Sequence, residues 1–506
     1  MPGISVLWPE PAEPMVVDAA AVTDLHIDRI ITAIVGRDEY DLRPWFARPV
    51  RDPGTVRYRQ EVFADLTGES VRAACTDFAA GMRRMRERLA WRDRLPHPIQ
   101  RQRGQLAAAA DYLETVARLV EALAALPLTS RALTRWREFV TGYVAGPDFD
   151  GLAADVRRAR RALGEVRYGL RLVGRTLEVT PAEGAADYSA AIADLFSRFG
   201  GGEPRAPRER SEWDDLNQME EQILDRVAAL HPPVFEQLGE FARRYEHFAH
   251  PDVTAFDREI QFYLTYRTFA ERVTGTTRAM CLPRVASRGD RIHAADAFDL
   301  ALLTRRDRDA AVVCNDFRLS GPERVLVVTG PNQGGKTTFA RTVGLLVYFA
   351  ALGCPVPARS ACLPLPDRVC THFDRAEQAT DPDGRLADEL VRIRHTLDTA
   401  TADSVIILNE SFSATGTADA VAIGRDVLDR IVTRGSIAVW VTFFDELART
   451  GPATVSMVAA TEPGDPSRRT YRIERRPADG NAHATVLAER FGLTRDLVTA
   501  RIASCG

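Results

Sequence analysis

The sequence predicts a mostly helical region followed by an α/β domain with a largely parallel sheet. Up to about residue 248, apolar residues recur at three- and four-residue spacing with charged faces between them, which is typical of amphipathic helices. After Thr277, short apolar runs alternate with helical segments, which indicates a parallel sheet. A glycine-rich loop joins one of these runs to a helix. We therefore predict two parts, residues 1–276 and 277–506, with the second of normal domain size.

The first part contains several elements that can be placed individually. Helices are predicted at 71–95, 105–126, Arg131–Val144, 213–248 and 254–273. Residues 166–180 alternate in polarity around Gly174 and predict a β-hairpin. Residues 200–210 are rich in Gly, Pro and Arg, so they predict a loop. This region is expected to form a mostly helical domain that precedes the α/β domain.

Composition excludes some classes of protein. The net charge of -4 gives no global basic field, so nucleic-acid binding would need a local patch. Two arginine clusters are candidates, with solvated helix faces as the simpler alternative: Arg83, Arg84, Arg86 and Arg88, and Arg157, Arg158, Arg160 and Arg161.

Cysteine usage and apolar runs indicate the compartment. The seven cysteines are scattered and form no CxxC pair, which favours reduced thiols in a cytoplasm. The first residues lack a basic start followed by an apolar run, so no secretory signal is expected. The apolar stretch at 343–352 is about half a membrane span. We expect a cytoplasmic protein without a membrane segment.

The phosphate-binding loop is the most specific motif. Residues 325–338 read VLVVTGPNQGGKTT, a strand, a Gly-x-x-x-x-Gly-Lys-Thr frame and the start of a helix. Glycines let backbone N–H groups turn toward phosphate oxygens, and the helix N-terminus adds partial positive charge. The frame predicts a P-loop NTPase fold that binds ATP. The predicted contacts are Gly330, Pro331, Asn332, Gln333, Gly334, Gly335, Lys336, Thr337 and Thr338.

Lys336 is the only lysine, and the other 65 of the 66 basic residues are arginine. A lysine retained at one position indicates a need for a compact, flexible ammonium rather than a planar guanidinium. Lys336 is therefore predicted to reach the β- and γ-phosphates and to be catalytic, while the Thr337 hydroxyl would ligate Mg²⁺.

A second acidic motif follows the apolar run in SVIILNE, residues 404–410. Glu410 is predicted to be the general base that activates water, and a surface acid at a strand end is the alternative. Asn409 stands where an Asp would hold Mg²⁺; its amide oxygen carries no full charge, so metal affinity should be weak. A third strand is predicted at 437–442.

These motifs resemble the ATPase domain of the MutS family of DNA mismatch-repair proteins. TGPNQGGKTT is similar to the family's TGPNMGGKST, and TFFDEL at 442–447 is similar to THYFEL. The stretch VCNDFRL at 313–319 resembles the segment that seats the adenine, which implies a nucleotide contact at Asn315. The resemblance covers about 310–505, and a weaker one at 42–66 is similar to the start of the lever domain. The resemblance therefore implies that the mostly helical part is a lever or clamp-like domain.

Several positions depart from the family pattern. The N-terminal mismatch-reading domain, with its Phe-x-Glu wedge, and the connector domain have no counterpart, which implies a truncated form. The Ser-Thr pair that completes the partner's ATP site is replaced in Gly384-Arg385-Leu386, and the family's usual His aligns with Phe443. The hydroxyl-rich run after the acidic pair is only partly kept at 412–417.

The resemblance implies a MutS-like ATP-binding DNA-repair protein in which ATP binding and slow hydrolysis move a lever and change the grip on DNA. DNA without sequence preference, ATP and Mg²⁺ are the expected ligands. Closing helices at 483–502 are expected to form a homodimer through the ATPase domain. The alternative is a nucleotide-gated scaffold with weak or no ATPase activity, not necessarily on DNA.

Overall fold

The computed structural model describes residues 3–174, 176–182, 217–275, 278–287, 289–304, 312–373, 382–412, 415–462 and 465–478. The chain forms two compact units. A helical unit comprises Met1–Ile4, Thr67–Leu128 and Leu133–Asp257. An α/β unit comprises Ser5–Leu66, Thr129–Ala132 and Arg258–Gly506.

The described helices and strands follow in chain order. The helices are α1 (Ala19–Asp24), α2 (Ile27–Val35), α3 (Arg43–Phe46), α4 (Pro53–Asp65), α5 (Glu69–Arg92), α6 (Pro98–Ala124), α7 (Arg131–Val144), α8 (Pro147–Glu165), α9 (Gln218–Leu230), α10 (Pro232–Arg244), α11 (Pro251–Thr274), α12 (Leu300–Leu303), α13 (Lys336–Ala351), α14 (Pro382–Thr399) and α15 (Thr417–Arg434). The strands are β1 (Val16–Val17), β2 (Tyr168–Val173), β3 (Thr176–Pro181), β4 (Arg284–Val285), β5 (Ile292–Ala297), β6 (Asn315–Leu319), β7 (Val325–Thr329), β8 (Ser360–Leu363), β9 (Arg368–Phe373), β10 (Val405–Asn409), β11 (Ile437–Val441), β12 (Thr454–Glu462) and β13 (Asp465–Arg475).

The helical unit is built on the long helices α5 and α6. They approach closely at Gly81, where an added Cβ would lie only 2.2 Å from the Thr115 hydroxyl oxygen. The ring of Trp136 stacks on Phe256 with centroids 4.2 Å apart, and both side chains are buried. The antiparallel pair β2–β3 confirms the hairpin predicted at 166–180.

The helix predicted over 213–248 is wrong as a single element. Two helices, α9 and α10, occupy this stretch and meet at His231. Pro232 begins the second helix because proline lacks the N–H that a continuous helix needs. A capping box begins α9, where the Asn217 side chain accepts from the Glu220 amide and the Glu220 carboxylate accepts from the Asn217 amide. The loop predicted at 200–210 lies outside the described residues.

The α/β unit contains the expected large, mostly parallel sheet. Its strand order is β1-β9-β10-β11-β7-β12-β13. All neighbours are parallel except β12 and β13, which pair antiparallel at one edge. Every residue of β7 and β10 is buried, as expected for parallel strands covered on both faces. The third predicted strand, 437–442, corresponds to β11.

The division into units differs from the predicted boundary between residues 276 and 277. Residues 5–66 belong to the α/β unit, because β1 pairs in parallel with β9 and Arg59 on α4 donates to the Leu352 carbonyl at 3.1 Å. Such pairings join positions about three hundred residues apart, so local periodicity could not place them. Segments of the two units therefore alternate along the chain. Residues 5–66 and 129–132 of the α/β unit interrupt the helical unit, and the rest of the α/β unit follows from residue 258.

A second, four-stranded sheet has the order β4-β8-β5-β6. The sequence predicts a strand at 311–314, but residues 312–314 are irregular and the strand is β6, which begins at Asn315. Pairing with β5 sets this register, with Ala294 opposite Phe317 and His293 opposite Arg318.

Two further expectations, on membrane helices and on cysteines, concern the part of the chain that the structure describes. No helix there is both long and apolar enough to cross a bilayer. Six cysteines fall within the described residues, and all six are free thiols.

Candidate functional site

The glycine-rich loop lies between β7 and α13, at the carboxyl end of a central strand. Gly330 has φ +113°, and an added Cβ would lie 3.0 Å from the backbone N and O of Ala459 on β12. At Gly334 an added Cβ would approach the Pro331 carbonyl oxygen to 3.0 Å. Gly335 has φ +91° and caps α13. The loop conformation therefore requires glycine at these positions.

The turn itself is tight. The Gly334 amide donates to the Pro331 carbonyl at 3.2 Å, and Gln333 has φ +60°. A non-glycine residue in this region costs on the order of 1 kcal/mol, so surrounding contacts must hold it. Arg469 on β13 supplies one, since its Nε donates to the Asn332 carbonyl at 3.0 Å.

Lys336 is the buried cation of the site, with 4 % of its surface exposed. Its Nζ donates to the carbonyl oxygens of Gly330 at 2.9 Å and Pro331 at 3.1 Å. The ring of Phe443 lies 4.7 Å from the ammonium. Burial lowers the pKa of Lys336, while the nearby Glu410 raises it and Arg469 lowers it further. The ammonium is thus directed into the loop.

Thr337 and Asn409 are brought together by the fold. The Thr337 hydroxyl, in the first turn of α13, donates to Asn409 Oδ1 at 2.8 Å at the end of β10. The two side chains proposed for the metal therefore share one small region. No group of three or more His, Cys, Asp or Glu side chains suited to a metal ion occurs in the part of the chain that the structure describes.

Glu410 follows β10 in a left-handed conformation, φ +57°. Its amide donates to the Val441 carbonyl at 2.9 Å, which fixes the backbone against β11. The residue lines a cavity of about 360 Å³ together with Lys336 and Thr337. An acid, a cation and a hydroxyl thus face one space, which is within the usual size range of ligand sites.

The predicted site residues fall into two sets. Those that line the cavity are Asn315, Gln333, Gly334, Gly335, Lys336, Thr337, Thr338 and Glu410. Those that do not are Gly330, Pro331, Asn332 and Asn409, which shape the loop or contact the lining from behind. Asn315 already uses its amide group structurally, donating to the Tyr471 carbonyl at 3.1 Å and accepting from the Ile473 amide at 2.7 Å.

Sequence reasoning missed Tyr471 and Arg469 on β13. Tyr471 lines the cavity in a left-handed conformation with φ +59° and lies 3.6 Å from a Cβ added at Gly335. No local motif marks either residue, because only the pairing of β13 with β12 brings them to the loop.

Some predicted features cannot be placed here. The closing helices at 483–502 lie outside the described residues, as does the side chain of Arg385. Within the two arginine clusters, several guanidinium groups have partners inside the unit: Arg86 pairs with Asp257, Arg88 with Asp111 and Arg158 with Asp155. Because these three guanidinium groups are held in ion pairs within the unit, the pairs count against DNA contact by those residues.

Fold and site together define an α/β domain with a mostly parallel sheet. A glycine-rich loop follows the central strand β7, and an acid, Glu410, follows β10, which is separated from β7 by β11. Residues 326–480 match the family model described as MutS domain V, which is an ATPase-domain family. Residues 326–480 therefore form a domain of the MutS family.

Known proteins show the same similarity. The chain is 30% identical over 269 residues to "DNA mismatch repair protein MutS" of Sorangium cellulosum, covering 48% of this chain and 29% of that protein. It is 38% identical over 141 residues to "DNA mismatch repair protein MSH3" of Phaeosphaeria nodorum, covering 28% and 13%. It is 30% identical over 191 residues to "Endonuclease MutS2" of Thermus thermophilus, covering 37% and 25%. The matches thus span less than a third of these relatives.

Proposed function

We propose that this protein is a MutS-like ATP-binding protein of DNA repair, with the P-loop NTPase fold in its α/β unit. The observation that carries the proposal is the lone lysine, Lys336, buried in the glycine-rich loop with its ammonium on two loop carbonyls. A buried ammonium beside a glycine-rich loop at a helix N-terminus is suited to binding phosphate oxygens.

The residues present fit a triphosphate. At Gly330 and Gly334 an added Cβ would meet Ala459 or Pro331 within 3.0 Å, so only glycine permits this loop conformation beside the cavity. The cavity of about 360 Å³ is within the size range of ligand sites. Lys336 would neutralise phosphate charge. Gln333 and Thr338, which line the same cavity, together with Pro331 and Asn332 in the loop, are the remaining proposed contacts. Asn315 would contribute by holding β13 beside the cavity through its hydrogen bonds to Tyr471 and Ile473.

Thr337 and Asn409 would hold Mg²⁺, which when bound offsets the negative charge of the phosphates. Oxygen ligands suit this ion, and the hydroxyl and amide oxygens lie 2.8 Å apart. Because the amide is neutral where a carboxylate would add a full charge, we propose weak metal binding.

The substitution Asn409→Asp is therefore expected to lower the Mg²⁺ concentration that gives half-maximal ATP hydrolysis by about threefold or more, since a carboxylate binds the ion more strongly. A Mg²⁺ titration of ATPase activity measures this. The matched control is Asn217→Asp, which makes the same chemical change at the N-cap of α9, where Asp serves equally well. If the titration curve of Asn409→Asp coincides with that of the wild type, Asn409 does not contact the metal.

Glu410 would act as the general base, accepting on its carboxylate the proton of the attacking water. Lys336 would stabilise charge on the phosphates. With Phe443 where the family usually has His, and Asn409 in place of Asp, we propose slow turnover. The work of the protein is then conformational: nucleotide state sets the lever geometry and so the grip on DNA.

The DNA part of the proposal predicts weak discrimination between duplexes. We expect a G·T mismatch to be preferred over matched duplex by less than about fivefold, roughly 1 kcal/mol, because the proposed binding depends on phosphate contacts, which do not read the bases. Binding through phosphate contacts should fall steeply as salt rises. Competition binding at two salt concentrations measures both quantities. A mismatch preference above about tenfold, or affinity insensitive to salt, would contradict the proposal.

Assembly as a homodimer through the ATPase domain is also proposed. Residues 483–502 carry apolar side chains at three- and four-residue steps, which suits a two-fold interface. Because the Ser-Thr pair is missing, ATP should strengthen dimerisation only modestly. Sedimentation velocity without nucleotide, with ADP and with a non-hydrolysable ATP analogue measures this. A monomer in all three conditions would exclude the dimer.

A further inference from the structure

Behind Glu410 lies a buried acid that the proposed chemistry does not use. Glu389, on α14, has 8 % of its side chain exposed, and His372, on β9, has 3 % exposed. His372 Nε2 lies 3.2 Å from Glu389 Oε1. The same carboxylate oxygen accepts a hydrogen bond from the Phe412 amide at 2.9 Å. A buried polar group is costly unless it is hydrogen-bonded, and this carboxylate has two such partners, the His372 ring and the Phe412 amide.

The hydrogen bond from the Phe412 amide to Glu389 lies in a strained stretch of backbone. Glu410 has φ +57° and Phe412 has φ +65°, so two non-glycine residues within three positions are left-handed. Such conformations persist only where surrounding structure determines them, and they cluster at functional sites. The Phe412 side chain is fully buried, with its ring 6.2 Å from that of Trp440. Together with the bond from Glu410 N to Val441 O, these contacts fix where the Glu410 carboxylate points.

His372 completes the arrangement from the neighbouring strand. β9 pairs with β10, and His372 lies opposite Leu408, two residues before Glu410. The imidazole therefore holds Glu389 from the sheet side, while Glu389 holds the Phe412 amide from the helix side. The Glu410 segment is clamped between a strand and α14.

We propose that Glu389 is a positioning residue for Glu410, oriented by His372, and that it couples the position of α14 to the placement of the general base. The proposal rests on the proposed function of Glu410. It assigns Glu389 no contact with nucleotide: its effect is on the conformation of residues 410–412. A shift of α14 would loosen the Phe412 amide and move the Glu410 carboxylate away from the water it activates.

Three substitutions separate this role from a purely structural one. Glu389→Ala removes the acceptor, and Glu389→Asp keeps the charge but shortens the side chain so that it no longer reaches the Phe412 amide. We expect both to lower kcat for ATP hydrolysis at least tenfold, with ATP affinity within about twofold of the wild type. Glu389→Gln keeps an oxygen acceptor at the same reach, so kcat should return to within about threefold. Asp388→Ala, at an exposed acid one residue earlier, is the matched control.

Hydrogen exchange supplies a readout that does not depend on turnover. Peptides that contain the Phe412 amide should exchange faster in Glu389→Ala and Glu389→Asp than in the wild type, and at the wild-type rate in Glu389→Gln. If Glu389→Ala fails to fold, Glu389→Asp carries the test.

The outcomes are distinguishable. Loss of turnover in Glu410→Gln, with unchanged kcat in Glu389→Ala and Glu389→Asp, would overturn the positioning role while leaving the function of Glu410 intact. Equal losses in Glu389→Gln and Glu389→Ala would also overturn it, because the acceptor would then be irrelevant. Unchanged turnover in Glu410→Gln would instead overturn the proposed function, and the positioning proposal with it.

Discussion

Replacing Lys336 with alanine is expected to weaken ATP binding at least about a hundredfold, roughly 2.7 kcal/mol. The substitution removes the buried ammonium that would contact the phosphates and leaves the loop with no mobile cation. Charge-assisted hydrogen bonds to phosphate are the strong ones, so the loss should exceed that of any other loop side chain. Equilibrium binding of a fluorescent ATP analogue measures the effect.

Lys336→Arg separates the need for a positive charge from the need for a compact ammonium. It keeps the charge, but a planar guanidinium does not fit the space between the Gly330 and Pro331 carbonyls, so affinity should still fall sharply. Arg425→Lys, at an exposed position on α15, is the control for an Arg–Lys exchange outside the loop. Unchanged ATP affinity in Lys336→Ala would mean that the loop does not bind the phosphates.

The largest effect on stability is expected at Arg59, which is fully buried on α4. Its Nε donates to the Leu7 carbonyl at 3.1 Å and its Nη1 to the Leu352 carbonyl at 3.1 Å. The guanidinium also lies 4.2 Å from the ring centroid of Trp8. Arg59→Ala would leave two buried carbonyls without these donors and would remove the guanidinium and its alkyl chain from a fully buried site.

We therefore expect Arg59→Ala to lower the free energy of unfolding of the α/β unit by about 3–5 kcal/mol, as for other broken buried charged contacts. Urea denaturation followed by tryptophan fluorescence measures this. Arg57→Ala, at an exposed position on the same helix, should change stability by less than about 0.5 kcal/mol. A loss below about 1 kcal/mol in Arg59→Ala would show that the guanidinium is not needed to join Leu7 and Leu352.

The glycine-rich loop between β7 and α13 could be predicted because its signal is local. The strand, the glycines, Lys336 and the helix follow one another within fourteen residues, and each residue type has a backbone or charge reason to be there. Thr337 and Asn409 were also predictable, since the carboxyl ends of parallel strands meet at one edge of the sheet.

The remaining features depend on pairings between distant segments. β1 has only two residues and joins the sheet through β9, some 350 positions along the chain, so no periodicity marks it. The clamp formed by Glu389 and His372 needs a strand and a helix that are separate in sequence, and each residue alone resembles an ordinary polar side chain. The break before Pro232 did have a local signal, because proline disfavours a continuous helix. A proline is therefore stronger evidence for a helix boundary than apolar spacing is for one continuous helix.

The central claim is that the glycine-rich loop of this MutS-family domain binds ATP. The most direct test is calorimetric titration of the wild-type protein with ATP in the presence of Mg²⁺. We predict saturable binding with a stoichiometry near one ATP per chain and an affinity tighter than about 1 mM, or −4.1 kcal/mol. Absence of saturable binding at millimolar ATP would contradict the account.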